Sequence, residues 1–336
     1  MKKNVLITSF DTAHSFEFYK DLKNNNSFKL YLADCSNNPK FNTFTSESIR
    51  LLPGSHENYC EDLLDKALKN DILMIIPNSD EEAISLMKKK HLFTNNGIDV
   101  AVQDKNYLNI FQSKSSLYDE LSKKDFPVPF YKVFKTANEF NEILNNSNYP
   151  EVPYLIKLNQ GRGGRGIFLL SEFKITNKDN LQLLSKNDFE CMIDDFTEYM
   201  IMDYINGEIY DVDILVYHDG EPFISPRKRF SNVTKNFSGN QFIKNEELVK
   251  YCEKILSIIP TKYLIDYDVI VSDQGELTLL EINPRPSGSL ISYLPFGTNL
   301  YTQIFDSYIN QVKTPINTSF IGESTVLFHQ MLIRKK

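Results

Sequence analysis

Leu279-Leu280-Glu281-Ile282-Asn283-Pro284-Arg285-Pro286-Ser287-Gly288 is the stretch on which the fold turns. Its first half has the composition of a β-strand, and a period of two puts Glu281 and Asn283 on one face, so that two oxygen donors point together. Upstream, Leu264 to Ser272 has the pattern of another strand, and the turn residues Asp273-Gln274-Gly275 predict a hairpin that brings Asp268 near Glu281. Carboxylate, carboxylate and amide oxygens are the hard ligands that Mg²⁺ takes when nucleotide phosphates complete its octahedron. A solvent-facing strand would also tolerate these acids, but the Leu and Ile around them point to burial, where unpaired acids are costly. Arg285 follows directly and brings a guanidinium suited to a carboxylate or phosphate oxygen.

Further upstream, Gly161-Arg162-Gly163-Gly164-Arg165-Gly166 has the spacing GxGxxG, which signifies dinucleotide binding only between a strand and a helix. Here Tyr154 to Leu158 precedes it and Ile167 to Leu170 follows, so the glycines are expected to form a hairpin flap. Such a flap can clamp phosphates, because glycines let backbone N–H groups approach closely and two arginines add charge. Ile167 and Phe168 stand where a Walker A loop needs Lys and Ser or Thr, which excludes that motif. Lys157 lies on an otherwise apolar strand just before the flap, where a lysine either snorkels at a sheet edge or reaches a phosphate. Pro226-Arg227-Lys228-Arg229 supplies more cations, and Arg227 and Arg229 share one face if the segment is extended; a solvated basic edge would look the same.

From Asn4 to Val102 short apolar runs alternate with helical stretches. Val5 to Thr8, Phe28 to Ala33 and Ile72 to Ile76 are strands, and residues 14–23, 57–69 and 80–91 are helices, which together predict a βαβ-type parallel sheet. Residues 113–124 form a further helix, stopped by Pro127-Val128-Pro129. Beyond it, Tyr199 to Ile205, Tyr210 to Tyr217 and the strands named above are joined by polar turns, as antiparallel sheets are. Asn245 starts a helix that ends at Pro260. The chain is therefore expected to be α/β, or α+β taken as a whole, with a βαβ-type first lobe, a lobe boundary near residues 105–130 and largely antiparallel strands beyond it.

The 336 residues carry a formal net charge of −7, which argues against sequence-independent attachment to nucleic acid, since that needs many uncompensated Lys and Arg. Cys35, Cys60, Cys191 and Cys252 are scattered and form no CxxC pair, which fits a reducing cytoplasm and no zinc knuckle. No stretch approaches the ~20 apolar residues of a membrane span. The five histidines form no HExxH and no metal spacing, and no serine has a GxSxG setting, so a hydrolase triad is not indicated.

In the order Lys114, Lys157, glycine flap, strand at Met200 to Ile205, Asp268, Glu281, Asn283 and Arg285, the chain resembles the ATP-grasp superfamily, above all its carbamoyl-phosphate-synthase-like carboxylate–amine ligases. Arg50-Leu51-Leu52-Pro53 and Ile76-Pro77-Asn78-Ser79-Asp80-Glu81-Glu82 resemble that superfamily's pre-ATP-grasp domain, and Asn283 to Gly288 is the most specific piece. The resemblance implies a Rossmann-like pre-ATP-grasp domain over 1–110, then a small lid lobe over 111–200 and a large C-terminal lobe over 201–336 carrying the metal site. It implies that Lys114 and Lys157 bind ATP phosphates under Gly163, Gly164, Arg165 and Gly166. Met202, Asp203, Tyr204 and Ile205 would hold adenine, with Asp203 for the ribose. Glu208 stands one position before the place where the superfamily usually has a glutamate, which here is Ile209. Asp268, Glu281 and Asn283 would carry two Mg²⁺ ions, with Mn²⁺ as an alternative, and Arg285 with Arg227 would steady an acyl phosphate.

The activity so implied joins a small carboxylate to an amine with release of ADP and phosphate, in an enzyme for which a homodimer is the default. Competing classes are a ligase with a non-amine nucleophile, a nucleotide-binding protein without catalysis, and a nicotinamide oxidoreductase using Asp34 for the ribose. The last meets an obstacle in the loop Thr8 to Ala13, which has no glycine to admit a pyrophosphate. Asp80, Glu81 and residues 232–241 are candidates for lining the substrate pocket.

Overall fold

The computed structural model describes the chain except for residues 1, 13, 24, 161–165, 176–180, 195, 231–238 and 327–336. Val5, Leu6 and Ile7 are wholly buried, as a run covered on both faces of a parallel sheet must be. They belong to β1 (Lys3–Ile7), which pairs in parallel within a five-stranded sheet of β2 (Phe28–Asp34), β3 (Ser48–Arg50), β4 (Ile72–Ile76) and β5 (Asp99–Val100), ordered β3-β2-β1-β4-β5. Helices α1 (Ser15–Lys23), α2 (Tyr59–Lys69) and α3 (Asp80–Thr94) alternate with the strands. The start of α3 is set by Ser79, whose side chain accepts from Glu82 N at 3.3 Å, and by three acids in the first turn that suit the positive end of the helix dipole.

Through α4 (Leu108–Gln112) and α5 (Lys114–Ser122) the chain reaches a second sheet. It comprises β6 (Tyr131–Phe134), β7 (Tyr154–Leu158), β8 (Ile167–Leu170), β9 (Gln182–Leu184) and β10 (Tyr199–Asp203), in the order β6-β10-β7-β8-β9. All its pairings are antiparallel except that of β8 with β9. One face buries Phe134, Ile156, Tyr199 and Ile201 against Phe140 of α6 (Ala137–Asn145) and Phe189 of α7 (Lys186–Glu190). The other turns Leu155, Met200 and Met202 toward the core shared with the rest of the chain. Lys157 pairs with Ile167, so the glycine segment joins the two strands of a hairpin as expected. Gly163, Gly164 and Arg165 lie outside the described residues.

The third sheet is antiparallel throughout and runs β15-β14-β11-β12-β13-β16. Its strands are β11 (Gly207–Val216), β12 (Pro222–Arg229), β13 (Gly239–Phe242), β14 (Tyr263–Ser272), β15 (Leu277–Asn283) and β16 (Ser324–Val326). Val212, Ile214, Tyr267, Val269 and Ile282 lie in one core with Leu248, Cys252 and Ile255 of α8 (Glu246–Ile258). Leu215 and Leu264 pack instead with Tyr301, Ile304 and Phe305 of α9 (Leu300–Asn310), and with Val5 and Phe28 of the first sheet. This seam between the first and third sheets is reinforced by a Lys3 Nζ to Asn310 Oδ1 hydrogen bond of 2.8 Å. All four cysteines are free, and no helix among the described residues is long and apolar enough to cross a membrane.

Candidate active site

Two charged rows cross the face of the third sheet opposite α8. Strand register sets Arg227, Asp211, Asp268 and Glu281 side by side on β12, β11, β14 and β15. One step along, Ser225, Asp213, Asp266 and Asn283 are aligned in the same way. Alternation therefore puts all eight side chains on one face. The expected hairpin is present, with a register shift beside Asp268 that leaves Leu280 out of the pairing while keeping Glu281 opposite Asp268.

The arginines reach across these rows diagonally. Arg229 Nε donates to Asp211 Oδ1 at 2.7 Å, and its Nη2 donates to Asp268 Oδ1 at 2.9 Å. Arg227 Nε donates to Asp213 Oδ2 at 2.7 Å. One carboxylate oxygen from each of Asp211, Asp266 and Asp268 lies within 4.8 Å of the others. Burial pushes the Asp268 carboxyl up to about 7, with Glu281 and Asp211 adding repulsion and Arg229 opposing it. Asp266 is lifted well above the carboxylate range, by burial first and by Asp268 next, and its Oδ1 has no hydrogen-bond partner. Crowded carboxylates of this kind, with the Asn283 amide beside them, are a donor set that fits a divalent cation.

Two lysines face the acids. Lys114 opens α5, where Asn159 O accepts from its backbone N–H at 3.1 Å, and its Nζ lies 3.7 Å from Glu281 Oε2. Asn159 Oδ1 also accepts from Ser115 N at 3.0 Å, so the start of the helix is fixed to the residue just beyond β7. Lys157, on β7, is buried with its Nζ 5.8 Å from the centre of the Tyr118 ring, and the Tyr118 hydroxyl donates to Leu279 O at 3.0 Å. Burial lowers the Lys157 ammonium to about 7; Lys114 lowers it further, while Glu281 and Asp268 work the other way. A narrow open cleft is lined by Asp80, Gln112, Ser113, Lys114, Glu281 and Asn283, among others.

Arg285 connects this face to the first sheet. Its Nε is 3.4 Å from Asp80 Oδ1, and its Nη1 is 3.8 Å from Asp266 Oδ2. Asp80 begins α3 just after β4, and β1 and β4 are the strands between which the order of the first sheet reverses. In open sheets that crevice, at the carboxyl ends of the strands, is where ligands bind.

Lys114, Lys157, Asp268, Glu281, Asn283 and Arg285 are thus neighbours, linked by contact or by electrostatic interaction. Arg227, expected beside them at the acyl phosphate, is instead wholly buried and has no surface to offer a ligand; the open guanidinium of β12 is Arg229, whose side chain is 26% exposed. Met202 is buried beside Leu155, and β10 ends at Asp203, short of the expected Ile205. Asp203 Oδ2 accepts from Phe130 N at 2.9 Å, and Tyr204 and Ile205 lie in the crossing to β11. Glu208, on β11, forms an ion pair with Lys228 at 3.5 Å. Gly166 has φ +65°, and a Cβ there would meet Leu158 Cγ at 3.0 Å. The sequence reasoning passed over Asp211, Asp266, Tyr118 and Asn159. The doubled pattern Asp211-Val212-Asp213 and Asp266-Tyr267-Asp268 was the available signal for the first two, since period two puts each pair on one face.

Residues 195–323 match a family model described as ATP-grasp in the biosynthetic pathway with Ter operon. No curated protein sequence matches the chain. Solved structures do: N5-carboxyaminoimidazole synthetase from Staphylococcus aureus, complexed with ADP, is 13% identical with a TM-score of 0.70, over 94% of this chain and 80% of that one. Biotin carboxylase from Campylobacter jejuni, in a β-γ-ATP complex, is 15% identical with a TM-score of 0.71, over 96% and 74%. L-amino acid ligase from Bacillus licheniformis is 12% identical with a TM-score of 0.66, over 91% and 74%.

Proposed function

Because the chain has the ATP-grasp fold, we propose that it is an ATP-dependent ligase that activates a small carboxylate as its acyl phosphate and transfers the acyl group to an amine. The observation that carries this reading is that Lys114, Glu281 and Asn283 line one cleft, with Lys157 and Asp268 in electrostatic reach of them, although these groups come from one helix and two different sheets. In this reading residues 1–110 are the pre-ATP-grasp domain, 111–200 the lid lobe and 201–336 the large lobe. Lys114 and Lys157 hold the ATP phosphates, with Gly163, Gly164, Arg165 and Gly166 as further phosphate-binding residues. Met202 to Ile205 lie against adenine, with Asp203 or Glu208 toward the ribose. Asp268, Glu281 and Asn283 would hold Mg²⁺, as two ions, and Mn²⁺ suits the same oxygen donors. The metal, when bound, neutralises phosphate charge as the transfer proceeds.

The chain's own groups then do the following. Arg285, aimed between Asp80 and Asp266, orients the carboxylate. A carboxylate oxygen attacks the γ-phosphorus, the bond to the β–γ bridging oxygen breaks, and ADP leaves. The amine attacks the acyl carbon, phosphate departs with the C–O electron pair, and the amine nitrogen gives up a proton to the departing phosphate. Lys114 and Lys157 meet the charge with donors fixed in advance. Four free cysteines suit a reducing cytoplasm.

ATP-dependent hydroxamate formation with hydroxylamine across a carboxylate panel, with ADP rather than AMP as product, tests the proposal. Glu281→Gln is expected to cut that turnover by roughly a hundredfold. An unchanged rate would refute the metal role of Glu281, and no turnover with any carboxylate counts against the ligase.

A further inference from the structure

Arg227 sits at the bottom of a buried polar knot. Its Nε donates to Asp213 Oδ2 at 2.7 Å, its Nη2 lies 2.6 Å from the same oxygen as an ion pair without hydrogen-bond geometry, and Tyr293 O–H donates to that oxygen at 2.8 Å. The third arm, Nη1, donates to Ser289 Oγ at 2.6 Å and to Ser289 O at 3.3 Å. Ser289 Oγ is 2.9 Å from Ser287 Oγ, and Leu290 N donates to Ser287 O at 3.4 Å. The Tyr293 ring lies 5.5 Å from the guanidinium carbon. Arg227, Asp213 and Tyr293 have no exposed surface, and Ser287 and Ser289 are buried.

The knot grips the chain four residues after Arg285. The Arg285 head is held within this same loop, where its Nη1 donates to Pro286 O at 3.1 Å, while its carboxylate neighbours at 3.4 and 3.8 Å are beyond good hydrogen-bond length. Pro284 and Pro286 flank it and restrict its backbone, so fixing the far end of this short loop fixes the line along which the side chain leaves. We propose that Arg227 is a positioning residue, which from inside the third sheet holds the loop 286–289 and thereby aims Arg285 into the cleft. The assignment rests on the ligase reading for what Arg285 is aimed at, an oxyanion of the acyl phosphate or of phosphate itself. Stability alone does not account for the knot, since buried ion pairs are often replaceable by apolar pairs of similar volume. A fork serving a carboxylate on one side and a serine on the other is specific to arginine, and lysine cannot reproduce it.

The test compares wild type with Arg227→Lys, with Tyr293→Phe, and with the double change Arg227→Met plus Asp213→Leu, which leaves no buried charge unpaired. Amide hydrogen exchange at Ser287 to Leu290 is read without nucleotide, and binding of inorganic phosphate is read on the MgADP complex. In each variant whose melting stays cooperative, exchange in that loop is expected to rise about tenfold or more relative to the rest of the sheet. Phosphate affinity should fall between about ten- and a hundredfold, with MgADP affinity unchanged. The inference is overturned by unaltered loop exchange and phosphate affinity in the folded double variant. It is also overturned by parallel loss of MgADP and phosphate, which marks a merely structural role. A wild-type chain that binds no MgADP would sink the ligase reading, while loop exchange would still decide whether Arg227 holds the loop.

Discussion

With Lys157 at the phosphates, as proposed, nucleotide binding would be a proton-consuming step. Burial and the nearby Lys114 lower its ammonium to about 7, so in the free protein near pH 8 only about one-tenth of it carries charge. A diphosphate placed against the amine favours the charged form, which must then recover its proton from solution. At pH 8 with saturating Mg²⁺, MgADP binding should therefore take up about 0.9 proton at this site, against about 0.1 at pH 6. The sign follows from occupancy: the complex holds more protons than the free protein, so affinity is full below about 7 and falls as pH rises through that value. Titration calorimetry in two buffers of different ionisation enthalpy measures the uptake directly. Lys157→Met should abolish this component and weaken binding by ~1.5–3 kcal/mol, the worth of a charge-assisted hydrogen bond. Lys157→Arg, always charged, should bind without the uptake. Equal proton uptake at pH 8 by wild type and Lys157→Met would refute both the lowered basicity and the placement of Lys157 at the phosphates.

The Asp268 carboxyl is shifted upward where the Lys157 ammonium is shifted downward: raised to about 7, it makes the metal-free protein lose stability as pH climbs from the ordinary carboxylate range toward that value, and the contribution is complete only below the range. Asp268→Asn should flatten that part of the melting-temperature profile and raise the midpoint by a few degrees at pH 8 without Mg²⁺; superimposable profiles would exclude it. Gly207 opens β11 where a Cβ would come within 2.2 Å of Val271 O, so Gly207→Ala should cost about 2–4 kcal/mol in urea unfolding. A change below about 0.5 kcal/mol would show that the two strands can part freely there.

The hairpin of Asp268 and Glu281 was legible because its signals are local: alternation on both strands, and a polar turn of Asp273, Gln274 and Gly275 between them. The strands around the glycine segment were legible for the same reason. Arg227 and Arg229 were not distinguishable, being chemically identical and on the same face. Which of them is submerged is decided by Ser289 and Tyr293, some sixty residues downstream, through contacts that no period in β12 encodes. β3 and β5, with three and two residues, are too short to show alternation at all. The capping box of Thr136 and Glu139 at the start of α6 was a readable local signal that went unused.

The alignment of ionic side chains across β12, β11, β14 and β15 also bears on how the chain finds its fold. Slipping any one of these strands by a single residue would drive its acids or arginines into the oily interior beneath α8 and put the residues now facing α8 among the buried ions. Mispaired intermediates of this sheet are therefore heavily penalised, and the same ionic groups act during folding as a proofreading device for strand register.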